Sequence, residues 1–169
     1  MSRMPATASP PTLSPGDPRI STWRDFLVVH ARLQRILDQE LRAAHDISLA
    51  EYDALLVLAA APGHRLRMHQ LADQVLLSRS GVTRLIDRLV ADGSVERSHC
   101  ATDARGAEAV LTRAGLGRLR DASGTHLRGI GEHFLDTLDD DELAALGRAM
   151  SAILGGLDSA RVTEERRAG

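Results

Sequence analysis

The chain has no lysine, a single cysteine and, among its 169 residues, one Trp, one Tyr and two Phe. Each scarcity excludes something. A lone Cys100 cannot form an intrachain disulfide or build a zinc knuckle by itself, which removes disulfide scaffolds and Cys-based structural metal sites. So few aromatics, set against abundant Ala, Leu and Arg, is the balance of an amphipathic helical protein and not of a β-sandwich. No run approaches the roughly 20 apolar residues that span a bilayer, and the proline-rich N-terminus lacks the apolar stretch of a signal peptide. A cytoplasmic protein with no membrane partner is expected. There is no phosphate-cradling glycine loop, no His-Glu-x-x-His and no nucleophile elbow. The neighbours His99 and Cys100 fall on an expected strand, where alternate side chains point to opposite faces. Neither an enzyme nor a cofactor is expected. Without lysine, all 21 basic side chains are Arg. That suits forked contacts to phosphate and guanine, though a GC-rich genome produces the same bias.

What is present is a chain of one-domain length with an uneven charge. The net charge of −2 argues against nucleic acid until it is divided along the chain. Residues 63–106 hold seven Arg and five acids, a net of +2, whereas residues 121–158 hold two Arg and eight acids, a net of −6. Positive charge is concentrated where phosphate would need it.

Residues 1–19 contain five of the six prolines with Ser, Thr and Gly, and are expected to form a disordered tail. Trp23, Phe26, Leu27, Leu33, Leu37 and Leu41 then recur at helical spacing, predicting a long first helix to His45. Ser48 and Glu51 have capping-box spacing for a second helix, which Pro62-Gly63 stops. Two short helical patterns follow, 68–75 and 78–92, joined by a tight polar break. In the second of them Val82, Leu85, Ile86, Leu89 and Val90 form an apolar stripe. Arg79, Ser80, Thr83, Arg84, Asp87 and Arg88 lie on the other side. After Gly93 the period changes to two, and residues 95–97 and 107–111 read as a β-hairpin with a basic tip. Thr112 caps a further helix, residues 139–142 cap a last one, and a polar tail is expected from Ser159.

Helix, turn, helix with a polar face, then hairpin is the order of a winged helix-turn-helix. The second helix of the pair is as wide as the major groove, so Ser80, Thr83 and Arg84 are candidates to reach base edges, with Arg79 and Arg88 on the backbone. Arg105 at the hairpin tip is placed to enter a narrow minor groove.

At these residues the sequence resembles the MarR family of bacterial regulators, over roughly residues 23–157. Asp103-x-Arg105 followed after five residues by Leu111-Thr112 is similar to the family's wing motif. Ser78-Arg-Ser-Gly-Val-Thr-Arg-Leu-Ile-Asp-Arg-Leu and Gly93-x-Val95-x-Arg97 resemble its recognition helix and wing entry, which adds Arg97 to the DNA-facing set. The resemblance implies a mostly α fold. Residues 48–111 would be a DNA-binding lobe with a two-stranded wing, and residues 20–47 and 112–158 a helical dimerisation region, with a polar tail at 159–169. It further implies a homodimeric, ligand-responsive repressor on a near-palindromic duplex, with a small-molecule effector between dimerisation helices and lobe. Asp103 would brace the wing by pairing with an Arg. Two positions depart from the pattern: Ala104 stands where an Arg is often found, and Ser94 where an apolar residue is usual.

Other readings remain open. An Arg-rich helix face can be plain solvated surface. Trp23 can line a ligand pocket or pack in a core or dimer interface. His30, His126 and His133 can converge on a metal, although no tight ligand motif supports one and no metal is assigned, and Cys100 can sense oxidation. His30 and His126 join Trp23 as ligand-binding candidates. A winged-helix module that binds protein and not DNA is the rival of a different class.

Overall fold

The computed structural model describes residues 14, 16–75, 78–100 and 103–168, of which 79, 99–100, 103–106 and 160–168 are described by backbone alone. The chain opens with α1 (Pro18–His45), which starts inside the expected tail. Asp17 accepts from the Arg19 N–H at 2.9 Å and Pro18 occupies the first turn, two local signals that outweigh the proline-rich composition before them. Asp46, at φ 51°, ends the helix in the left-handed region.

α2 (Leu49–Ala60) begins with the capping box expected of Ser48 and Glu51. A short strand, β1 (Arg65–Arg67), leads into α3 (Met68–Gln74), and α4 (Arg79–Ala91) follows with Ser78 as its N-cap. β2 (Val95–Cys100) and β3 (Asp103–Leu111) pair antiparallel with Val95 opposite Leu111, and the register shifts between His99 and Cys100. The β2–β3 hairpin is the two-stranded wing expected, and β1 adds a third strand to its sheet, in the order β1-β3-β2. Arg65 pairs opposite Val110, a partner 45 residues away that local alternation cannot reveal.

α5 (Arg113–His133) starts on Thr112, whose hydroxyl accepts from Gly115 N–H and donates to the Gly93 carbonyl at 2.7 Å. α6 (Asp140–Ala168) starts on a reciprocal pair in which the Glu142 N–H donates to Asp139 and the Asp139 N–H to Glu142. The segment from Ser159, expected as a tail, continues the helix, since Ala, Arg and Glu without Gly or Pro are good helix formers.

The core lies where α2, α3 and α4 meet the sheet and the N-terminal half of α5. Leu55, Leu58, Leu71, Leu85, Ile86, Leu89 and Val95 are buried there, with Leu41 and Ile47 joining α1 to it. Ser94 is buried without loss, because its N–H donates to Asp92 at 2.9 Å and its carbonyl accepts from the Thr112 N–H at 3.1 Å. α5 approaches that carbonyl so closely that a Cβ on Gly115 would overlap it. Outside the core, Trp23, Phe26 and Leu27 of α1 and Ile153, Leu154 and Leu157 of α6 are exposed in the isolated chain. Among the described residues of α6 none is buried.

Candidate nucleic-acid interface

α4 is positioned by its apolar face. Val82, Leu85, Ile86 and Leu89 are buried, whereas Val90, expected in the same apolar stripe, is exposed; Ser80, Thr83, Arg84, Asp87 and Arg88 lie on one exposed stripe at i, i+3, i+4, i+7 and i+8. The Ser78 hydroxyl accepts from the Gly81 N–H at 3.1 Å, fixing the helix start beside Ser80. Arg84 makes no side-chain ion pair among the described residues, so its fork of donors faces solvent.

Two of the other arginines expected at DNA, Arg88 and Arg97, are tied to carboxylates. Arg88 Nε donates to Glu51 Oε1 at 2.9 Å, joining α4 to the N-terminus of α2. Glu51 also accepts from the Ser48 N–H at 2.8 Å and hydroxyl at 2.7 Å. Burial alone would raise the Glu51 carboxyl, but the bonds from Arg88 and Ser48 together hold it below its ordinary value. Arg97 on β2 lies 2.8 Å from Asp87, bridging the hairpin and α4. On this geometry Arg88 and Arg97 orient α4 against its neighbours, a role that periodicity does not signal. The side chains of Arg79, Asp103 and Arg105 lie outside the described ones, as do those of His99 and Cys100.

The ligand candidates separate. Trp23 stacks on Phe26 at 5.7 Å and Phe26 on His30 at 6.2 Å, a ladder along exposed α1. His30 lines a cavity between α1, α2 and the end of α3, whereas Trp23 and His126 do not. His126 packs on Tyr52 with ring centroids 4.4 Å apart, and its Nδ1 is buried without a hydrogen bond. Burial lowers the His126 imidazole and nearby Asp53 partly offsets it. His133 Nε2 instead meets Glu40 at 2.7 Å. The three histidines are thus not gathered, and among the described residues no group of three or more His, Cys, Asp or Glu is arranged to hold a metal. Residues not anticipated from sequence are Asp53, Gln34 and Gln74 in the cavity wall. No helix among the described residues is long and apolar enough to cross a membrane.

Comparison with known proteins agrees with the fold. The model of the MarR family matches residues 45–106. The chain is 31% identical over 108 residues to the HTH-type transcriptional repressor YetL of Bacillus subtilis, a match covering 62% of this chain and 65% of the repressor. The chain thus spans about two thirds of that relative's length, just short of it. AbsC, a MarR family transcriptional regulator from Streptomyces coelicolor, superposes with a TM-score of 0.78 at 30% identity, over 88% of this chain and 99% of AbsC. Sco3205 from the same organism, a MarR family regulator solved in complex with DNA, gives a TM-score of 0.78 at 29% identity over 89% and 92% of the two chains.

Proposed function

The chain belongs to the MarR family, and on that premise we propose that it is a cytoplasmic, ligand-responsive repressor that binds a near-palindromic duplex as a homodimer. The observation that carries the reading is the exposed stripe of α4. Ser80, Thr83 and Arg84 stand there on a helix held rigidly by its buried face, in a fold shared with a regulator solved on DNA. Arg84 donates in parallel to guanine O6 and N7, and Ser80 and Thr83 contact bases or adjacent phosphates. Arg79 binds phosphate, Asp103 braces the wing and Arg105 enters the minor groove. Arg88 and Arg97 add to the phosphate field through the donors that Glu51 and Asp87 leave unused.

Two chains pair through α1, α5 and α6. The support is physical: a 29-residue helix with an exposed Ile153-Leu154-Leu157 stripe, beside a first helix exposing Trp23, Phe26 and Leu27, leaves more apolar surface than a monomer carries without a partner. The pair presents two α4 helices to successive major grooves, about one turn or ~34 Å apart. An effector releases DNA by binding more tightly to a lobe spacing that does not fit, a coupling of about 1–3 kcal/mol.

The test is a fluorescence-anisotropy titration against the promoter fragment beside the protein's own gene at two salt concentrations, with random duplex as control. Salt-sensitive binding that prefers the promoter fragment is expected. Equal affinity for both duplexes removes the specific-regulator reading and leaves an interaction module in its place.

A further inference from the structure

Between α1, α2 and the C-terminal end of α3 lies a cavity of about 460 Å³, within the range of small-molecule sites. α1 contributes His30 and Gln34, α2 contributes Asp53 and Leu56, and Gln74 and Val75 close it at the end of α3. Its charge is one-sided. Among the described residues Asp53 is the only acidic one in the lining, and no Arg lines it. His30 is the other ionisable group among the described lining residues, and its Nε2 lies 3.3 Å from the Gln34 amide nitrogen.

Asp53 has no hydrogen bond or ion pair among the described residues. Burial raises its carboxyl above the ordinary value, and the only opposing influence is His126, which burial itself drives toward the neutral form. A desolvated carboxyl without a counter-ion is costly, and the cavity holds what a ligand needs to relieve it. A carboxylate or phenolate ligand would bring a second negative charge beside Asp53 with no arginine among the described residues of the wall to meet it. A neutral apolar ligand would leave Asp53 unpaired.

We propose that this cavity binds an amphipathic organic cation, with an ammonium or guanidinium group on Asp53 and an apolar body against Leu56 and Val75. The inference rests on the proposed regulator reading for its consequence: the occupant touches Gln74 and Val75 at the end of α3, the helix that precedes α4 in the chain. Polar His30, Gln34 and Gln74 then select among cations by the donors and acceptors they carry.

The test uses the full chain and three probes with one carbon skeleton, 4-phenylbutylamine, 4-phenylbutan-1-ol and 4-phenylbutyrate, titrated by calorimetry at neutral pH. The amine is expected to bind at least ten-fold more tightly than the alcohol and the butyrate least. Asp53→Asn, which keeps the side-chain shape, is expected to bring the amine to the level of the alcohol. Gln74→Lys, at an exposed rim position, is expected to weaken the amine and admit the butyrate, a change of preference that misfolding cannot imitate. Butyrate binding as tight as the amine, or an amine affinity indifferent to Asp53→Asn, overturns the proposal. Operator binding is followed in parallel: amine binding without release of DNA leaves the cation site standing and removes its regulatory role, while intact operator binding with no amine bound removes the cation site alone.

Discussion

Replacing Glu51 probes how the recognition helix is held. Its carboxylate accepts from the Ser48 N–H, the Ser48 hydroxyl and Arg88 Nε, at 2.8, 2.7 and 2.9 Å. The Glu51 side chain is 12% exposed, but Arg88 is 58% exposed, so the ion pair is screened and contributes only about 0.5–1 kcal/mol. The two bonds at the start of α2 add about 1–2 kcal/mol. Glu51→Ala should therefore cost about 2 kcal/mol, or roughly 4–8 °C in Tm for a chain of this size. Glu51→Gln, which still accepts from the Ser48 N–H, should cost about 1 kcal/mol. The assay is thermal and urea unfolding at one fixed protein concentration, because pairing of subunits shifts Tm by mass action. A double-mutant cycle with Arg88→Met isolates the pair, with an expected coupling of about 0.5–1 kcal/mol. The pH dependence supplies an independent check. Glu51 has a folded pKa below its ordinary 4.5, so its stabilisation is complete above about pH 4.5 and is lost as pH falls through the lower folded value. The gap between wild type and Glu51→Gln should accordingly close in acid. Zero coupling in the cycle, or a gap that persists unchanged in acid, would refute the strut between α2 and α4.

Gly115→Ala should destabilise the fold by about 2 kcal/mol or more in urea unfolding, since the new Cβ overlaps the Ser94 carbonyl and presses on Leu111 where backbone must shift; a change under 0.5 kcal/mol would show that α5 and the Ser94 loop are not in such close approach. His126 has a folded pKa below its ordinary 6.5, so stability should decline as pH falls below about 6.5, where the unfolded chain binds the extra proton. His126→Phe should preserve the contact with Tyr52 and flatten that decline, and an unaltered pH profile would assign it to other groups. Ile153→Asp with Leu157→Asp on α6 should shift the mass measured by light scattering from dimer to monomer while leaving the circular dichroism of the lobe intact; a dimer that survives places the interface elsewhere.

Helix starts were legible because caps are local. Ser48 with Glu51, Ser78, Thr112 and Asp139 with Glu142 all hydrogen-bond within three residues of themselves, and all are seen in place. The stripe of α4 was legible for the same reason, since burial of Val82, Leu85, Ile86 and Leu89 follows from spacing on one helix. Composition misled at the two ends: prolines concealed the Asp17-Pro18 start of α1, and polar residues after Ser159 concealed the rest of α6. What lay beyond reach joins distant residues. β1 is a strand only because Arg65 meets Val110, Arg88 meets Glu51 across 37 positions, and the solitary charge of Asp53 exists only once α1, α2 and α3 enclose it.

In the proposed function Arg84 on α4 reads base sequence. The most direct measurement is the ratio of affinities for an operator and for the same duplex with its half-site guanines exchanged, taken for wild type and for Arg84→Ala at one salt concentration. Wild type is expected to show a clear preference and the variant a loss of about 1–3 kcal/mol on the matched duplex with the preference largely gone. Equal weakening on both duplexes, with the ratio unchanged, would contradict it and reduce Arg84 to a phosphate contact.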